Sequence, residues 1–186
     1  MRTPAPTSAR ARTLIAYEAE EHSAAFTGMD MDVVRAGRGR GPNTTRILTS
    51  GQVTVVSSHI RFPILSRTTT PEDRVIVAAI LSAAPGSRWS GIDLEPGTVL
   101  LYGPGTEHTA TSQVGLVYTF GSFQLKALEE TADRLRLQFN PPTKGHVRVL
   151  VPTSRVRSLI AILGIGGDMG DPITSAMGDH LDPLHG

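Results

Sequence analysis

Six turn-forming steps cut the middle of this chain into short pieces: Ser50-Gly51, Thr70-Pro71, Pro85-Gly86, Ser90-Gly91, Pro96-Gly97 and Gly103-Pro104-Gly105. Glycine supplies the positive φ of a tight turn, and proline fixes its own φ while removing a backbone donor, so no regular element runs through these steps. Nineteen Gly and 13 Pro are spread between apolar runs rather than gathered in one low-complexity block. That punctuation predicts an all-β fold, a sandwich or barrel with no room for βαβ crossovers.

The runs between the breaks predict strands over 45–49, 52–61, 74–81, 98–103 and 115–120, with shorter pieces near Ile64 and Thr109. In 74–81 both parities are apolar: Val75, Val77, Ala79 and Leu81 alternate with Ile76, Ala78 and Ile80. A strand of that kind is covered on both faces, so something helical has to lie over one of them. From Ser122, read as an N-cap, to Phe139, the residues Leu125, Leu128, Ala132, Leu135 and Phe139 recur at helical spacing, and Pro141-Pro142 ends the helix that would form this cover. A short β-type run, 147–151, follows. Pro152-Thr153 opens a second helix, with Val156, Leu159, Ile160 and Leu163 on one stripe and Gly164 as its stop. Residues 1–13 lack apolar periodicity and read as a disordered tip, 14–165 as the domain, and 166–186 as a tail or linker.

Composition narrows the function. Eighteen Lys+Arg against 17 Asp+Glu leave a net charge of +1, which disfavours a strongly basic nucleic-acid module. The absence of cysteine excludes disulfides, iron-sulfur centres, Cys-type zinc sites and a cysteine nucleophile. The longest apolar stretch, 75–84, is about ten residues against the roughly 20 that span a bilayer, and the N-terminus lacks the apolar core of a signal peptide. The expectation is a cytoplasmic protein with no membrane contact. The Gly-Arg segment from Arg35 to Arg46 follows a stretch with five acids and no base, and reads as a surface loop facing those acids rather than an RNA contact.

The stretch from Trp89 to Phe120, WSGIDLEPGTVLLYGPGTEHTATSQVGLVYTF, is a meander whose strands are joined by glycine turns. With its Pro96-Gly97 and its Gly103-Pro104-Gly105-Thr106-Glu107-His108, the Met31–Pro42 segment before it and the helix after it, the chain resembles the cupin-like N-terminal sensor domain of AraC-type transcription regulators from about Met29 to Leu135. The resemblance implies a mainly β, jelly-roll sandwich (a double-stranded β-helix) with C-terminal helices packed outside. It also implies a domain that binds a small-molecule effector of unknown identity, pairs as a homodimer, and reaches DNA only through a separate helix-turn-helix domain. That domain has no counterpart in these 186 residues. The alternatives are a metal-dependent cupin enzyme and an unliganded dimerisation module.

The enzyme alternative turns on metal ligands. Cupin enzymes hold a metal with several His and a Glu. Gly97, Gly105 and His108 match one motif at offsets 0, 8 and 11, but the companion offsets after Gly51 carry Ser57 and His59, with no Glu near Pro63 or Ile64. Two histidines fall short of the three or four protein ligands a catalytic ion needs, and His146 lies beyond the expected helix. No Gly-x-Ser-x-Gly elbow supports a hydrolase, and Gly164-x-Gly166-Gly167 follows a helix and lacks a phosphate-loop lysine. The expected ligand pocket is built from His59, Phe62, Trp89, Tyr102, His108 and Tyr118, with no metal, cofactor or catalytic residue. For Trp89 a place in the core or at its rim competes with a place on the pocket wall. The expected dimer interface is the stripe Val156, Leu159, Ile160 and Leu163.

Overall fold

A computed structural model describes residues 10–162 except 24, 25, 27, 28 and 40. The chain runs β1 (Arg10–Ala16), α1 (Ala19–Ser23), β2 (Asp30–Arg35), β3 (Asn43–Ser50), β4 (Val53–His59), β5 (Ile64–Thr69), β6 (Arg74–Ser82) and β7 (Arg88–Trp89). It continues through β8 (Ile92–Asp93), β9 (Thr98–Tyr102), β10 (Glu107–Ser112), β11 (Val117–Gln124), α2 (Leu125–Leu135), β12 (His146–Leu150) and α3 (Thr153–Ile162). Seven strands form one antiparallel sheet in the order β1-β3-β4-β11-β6-β9-β12, and five form a second, β2-β5-β10-β7-β8. The fold is the mainly β sandwich that the turn pattern predicts.

The expected turns are where the chain reverses. Between β7 and β8, Ser90 and Gly91 are both left-handed, φ 50° and 77°, the backbone of a two-residue hairpin whose twist matches its strands. The core lies between the sheets: Ile76, Ala78 and Ile80 of β6, Leu100 and Tyr102 of β9, and Tyr118 and Phe120 of β11 face Ile64, Trp89 and Ala110 of the smaller sheet. Phe62 joins this core from the β4–β5 connection. Asn43 Oδ1 pins that connection by accepting from the amides of Arg61 (2.7 Å) and Phe62 (3.0 Å).

β6 is covered on both faces, as its composition requires. Val75 and Ala79, on the side away from the core cluster, are 0% and 3% exposed. The cover differs from the expectation. α3 packs against β6 and buries Val156 to 1% exposure, while α2 leans on β11 with Ala132 as its only buried residue. Ser122 is not a helix cap but a residue of β11, and α2 starts at Leu125 with no side-chain cap. The helix also ends well before Pro141: Arg136 turns left-handed at φ 55°, its amide donating to the Asp133 carbonyl. Leu135 and Leu137 are about three-fifths exposed, so no burial drives further turns.

Strand β1 begins at Arg10, inside the segment expected to lack order; residues 1–9 lie outside the described residues, as does the expected tail 166–186. The ladder from Arg10–Thr49 to Ala16–Asn43 holds β1 through its backbone, and this is why side chains without a burial pattern still form a strand. The Arg-rich segment behaves in part as the expected surface loop. Arg35 lies 3.8 Å from Glu18, and its guanidinium sits 4.5 Å above the Phe62 ring.

Candidate functional site

Two chambers open on the inner face of the larger sheet. The smaller, about 40 Å³, is enclosed by residues of both sheets and includes Trp89, Tyr102, His108 and Tyr118, four of the six expected pocket residues. Trp89 is both core and wall: it is 6% exposed, donates from Nε1 to Ser112 Oγ at 3.2 Å, and meets the Tyr118 ring edge-on at 4.8 Å. His108 stacks on Tyr102 at 4.3 Å, and His146 of β12 approaches the same tyrosine ring at 5.7 Å.

His59 and Phe62 line neither chamber. His59 ends β4, one residue past Ser58, which pairs with Tyr118; alternation along the strand therefore turns His59 to the outer face. Phe62 is fully buried in the core beneath Arg35. Sequence reasoning missed His22 and Thr68. Both are about 1% exposed on the wall of the small chamber, and their Nδ1 and Oγ1, like His108 Nδ1, have no partner among the described residues. Polar atoms buried so deeply call for a partner, and the space beside them is sized for water rather than for an organic molecule.

Burial sets the protonation of this chamber. His22 is pushed down to about 4 by desolvation. His108 falls to about 4 mainly by desolvation, and nearby His146 lowers it further. The Tyr102 and Tyr118 hydroxyls are pushed up to about 12, again chiefly by burial. At neutral pH all four are uncharged. Among the described residues no group of three or more His, Asp or Glu stands where it could hold a metal. Elemental analysis of protein purified without added metal is expected to give well under one Zn, Fe, Mn or Ni per chain; one tightly held ion per chain would contradict this.

The larger chamber, about 680 Å³, adjoins the first and shares Met29 and Phe120 with it. Phe26 stacks on Phe120, centroids 5.4 Å apart, at the boundary. Its walls come from the inward faces of β1, β3, β4 and β11, and its size lies within the roughly 300–1,000 Å³ of small-molecule sites. None of the expected pocket residues lines it. The signal that points to it, the alternating Arg10 and Arg12 of β1, lies in the stretch that reads as a disordered tip.

No family model matches the chain, and no curated protein matches it. Among solved structures, the AraC-like transcriptional activator CuxR is similar over 87% of this chain and 62% of its own, with a TM-score of 0.50 and 15% identity. A deletion mutant of Bacillus subtilis oxalate decarboxylase OxdC is similar over 66% and 40%, with a TM-score of 0.31 and 15% identity. This chain thus spans about three-fifths of the length of the activator. No helix among the described residues is long and apolar enough to cross a membrane. At such identity the likeness to the activator speaks for the fold alone, a sandwich of two antiparallel sheets.

Proposed function

We propose that this chain is the effector-sensing and dimerisation part of an AraC-type transcription regulator, reaching DNA through a separate domain and carrying out no chemistry of its own. The observation that carries the reading is a chamber of ligand size on the inner face of the larger sheet, in a fold shared with a transcriptional activator. Sensing of this kind needs only differential affinity: a ligand that binds one of two domain arrangements more tightly shifts their populations, and the attached domains follow.

The dimerising surface is the C-terminal face. Leu135 of α2, Leu137 just past its end, Val147, Val149 and Leu150 of β12 and Leu159 of α3 are exposed apolar side chains, and such patches mark interfaces. Of the expected stripe, Val156 is buried in its own chain against the sheet, Leu159 is 39% exposed, Ile160 is half-buried, and Leu163 lies outside the described residues. Leu159 and Ile160 therefore meet the partner, with the exposed Arg155 and Arg157 at the rim. Sedimentation at tens of micromolar is expected to give a two-fold dimer, and Leu159→Glu a folded monomer, because a small interface does not offset a buried unpaired carboxylate. A wild-type monomer, or an unaltered dimer in the variant, would refute the interface.

A further inference from the structure

The larger chamber is electrostatically one-sided. Arg10, Arg12 and Arg74 stand on its wall, and no carboxylate is among its described lining residues. Residues 1–9, 24, 25, 27 and 28, adjoining this wall in sequence, contain no Asp or Glu either. On β1, Arg10 and Arg12 are paired across from Thr49 and Ile47, and Leu14, next on the same face, packs against the core. Alternation thus sets two solvent-exposed guanidiniums on the chamber wall, on the face that Leu14 continues into the core.

Arg74 is held in place without being neutralised. Its Nη1 donates to the Gln52 carbonyl (3.1 Å), the Ser122 carbonyl (3.2 Å) and Ser122 Oγ (3.1 Å), all uncharged acceptors. Its Nε and Nη2 have no partner among the described residues, and Arg10 makes no ion pair among them. A guanidinium whose side chain is already ordered loses little entropy when it takes a carboxylate or phosphate, and its free edge suits a two-point contact. The rest of the chamber is apolar at Phe26, Ile47, Val56 and Phe120, with hydroxyls of Thr49 and Thr54 between. Arg10 and Arg74 face the same space with no ion pair among the described residues, and an anion seated between them relieves their repulsion.

We propose that the larger chamber binds an organic anion, with a carboxylate or phosphate on Arg74 and Arg10 and an apolar body against Phe26 and Phe120. This rests on the sensing role above and names the class of its ligand.

The matched probes are 2-naphthoate and 2-naphthamide, equal in shape and different in charge, titrated calorimetrically into the full chain. Naphthoate is expected to bind about tenfold or more tighter than the amide, since one charge-assisted contact is worth that much. Arg10→Gln, which removes no side-chain bond among the described residues, and Arg74→Gln should each weaken naphthoate severalfold and leave the amide unchanged. Equal affinity for the two probes, or naphthoate binding untouched by both substitutions, would overturn the anion assignment while leaving the chamber available to a neutral effector. Binding of neither probe would also overturn it. The dimer measurement with Leu159→Glu bears on the regulator reading independently of all three results.

Discussion

Acidification from pH 7 to pH 5 is expected to lower the stability of this domain by about 4 kcal/mol, roughly 2 from each of two buried histidines. His22 and His108 are both held near 4 in the folded chain, mainly by desolvation, against an ordinary value of 6.5. Above pH 6.5 both are neutral whether the chain is folded or not, and the full stability is present. Below it the unfolded chain takes up protons that the folded chain refuses, so stability falls progressively as the pH drops towards 4. His59, lowered by burial and by the nearby Arg61, shifts in the same sense. Against a typical total of about 5–15 kcal/mol, such a loss moves a urea midpoint plainly. Midpoints at pH 7, 6 and 5 measure it. His22→Leu, which places an apolar side chain beside Phe26 and removes one of the two titrating groups, should abolish about half of the dependence. A wild-type midpoint that does not change between pH 7 and 5 would contradict the account.

Gly97→Ala is expected to cost roughly 3–5 kcal/mol and to release β12 from the edge of the larger sheet. Gly97 sits at φ 90°, and a Cβ there would run into the carbonyl oxygen of Val151. Its own amide donates to Ile80 O at 2.9 Å, and its carbonyl accepts from the Val151 amide at 3.0 Å. One residue therefore ties β6, the start of β9 and the end of β12, just before α3 begins. Alanine cannot keep both bonds, because relieving the contact moves Val151 away from the carbonyl that holds it. Thermal unfolding gives the size of the loss, and amide exchange at Val147 and Val149 shows where it falls. Gly51→Ala is the control: φ is 56°, and nothing lies within 4 Å of the added Cβ, so only the left-handed backbone is penalised, about 1–2 kcal/mol. Equal losses in the two variants would mean that β12 is not anchored through Gly97.

The turn positions were legible in the sequence because their requirement is local. Gly51, Gly86, Gly91, Gly97 and Gly105, all in predicted turns, have positive φ, and that constraint belongs to each residue whatever lies around it. The strands between them follow, and so does the two-sided cover of β6, since a run apolar at both parities has no stable exposed face. The choice of cover did not follow. The stripe of α2 is the more regular by spacing, yet α3 buries Val156 on β6, because the chain reaches that face only after β12 has paired with β9.

The sites were legible only by halves, and the reason is parity. Trp89, Tyr102, His108 and Tyr118 were recognised as wall residues by their type and all line the small chamber, whereas His59, chosen on the same grounds, turns outward. A shift of one residue reverses every side chain on a strand, and β11 itself changes register against β6 between Val117 and Tyr118. Arg10 and Arg12 show the same limit from the other side. Their segment contains no apolar pattern, and only the backbone ladder with β3 makes it a strand and sets its charges on the chamber wall. By itself the amino-acid sequence determined where the chain turns and which runs must be buried, because those follow from the conformational range and hydrophobicity of single residues. Tertiary structure alone decided which faces meet, which helix covers the sheet and where arginines line a chamber, because register is a relation between strands distant in the chain and no local stretch contains it.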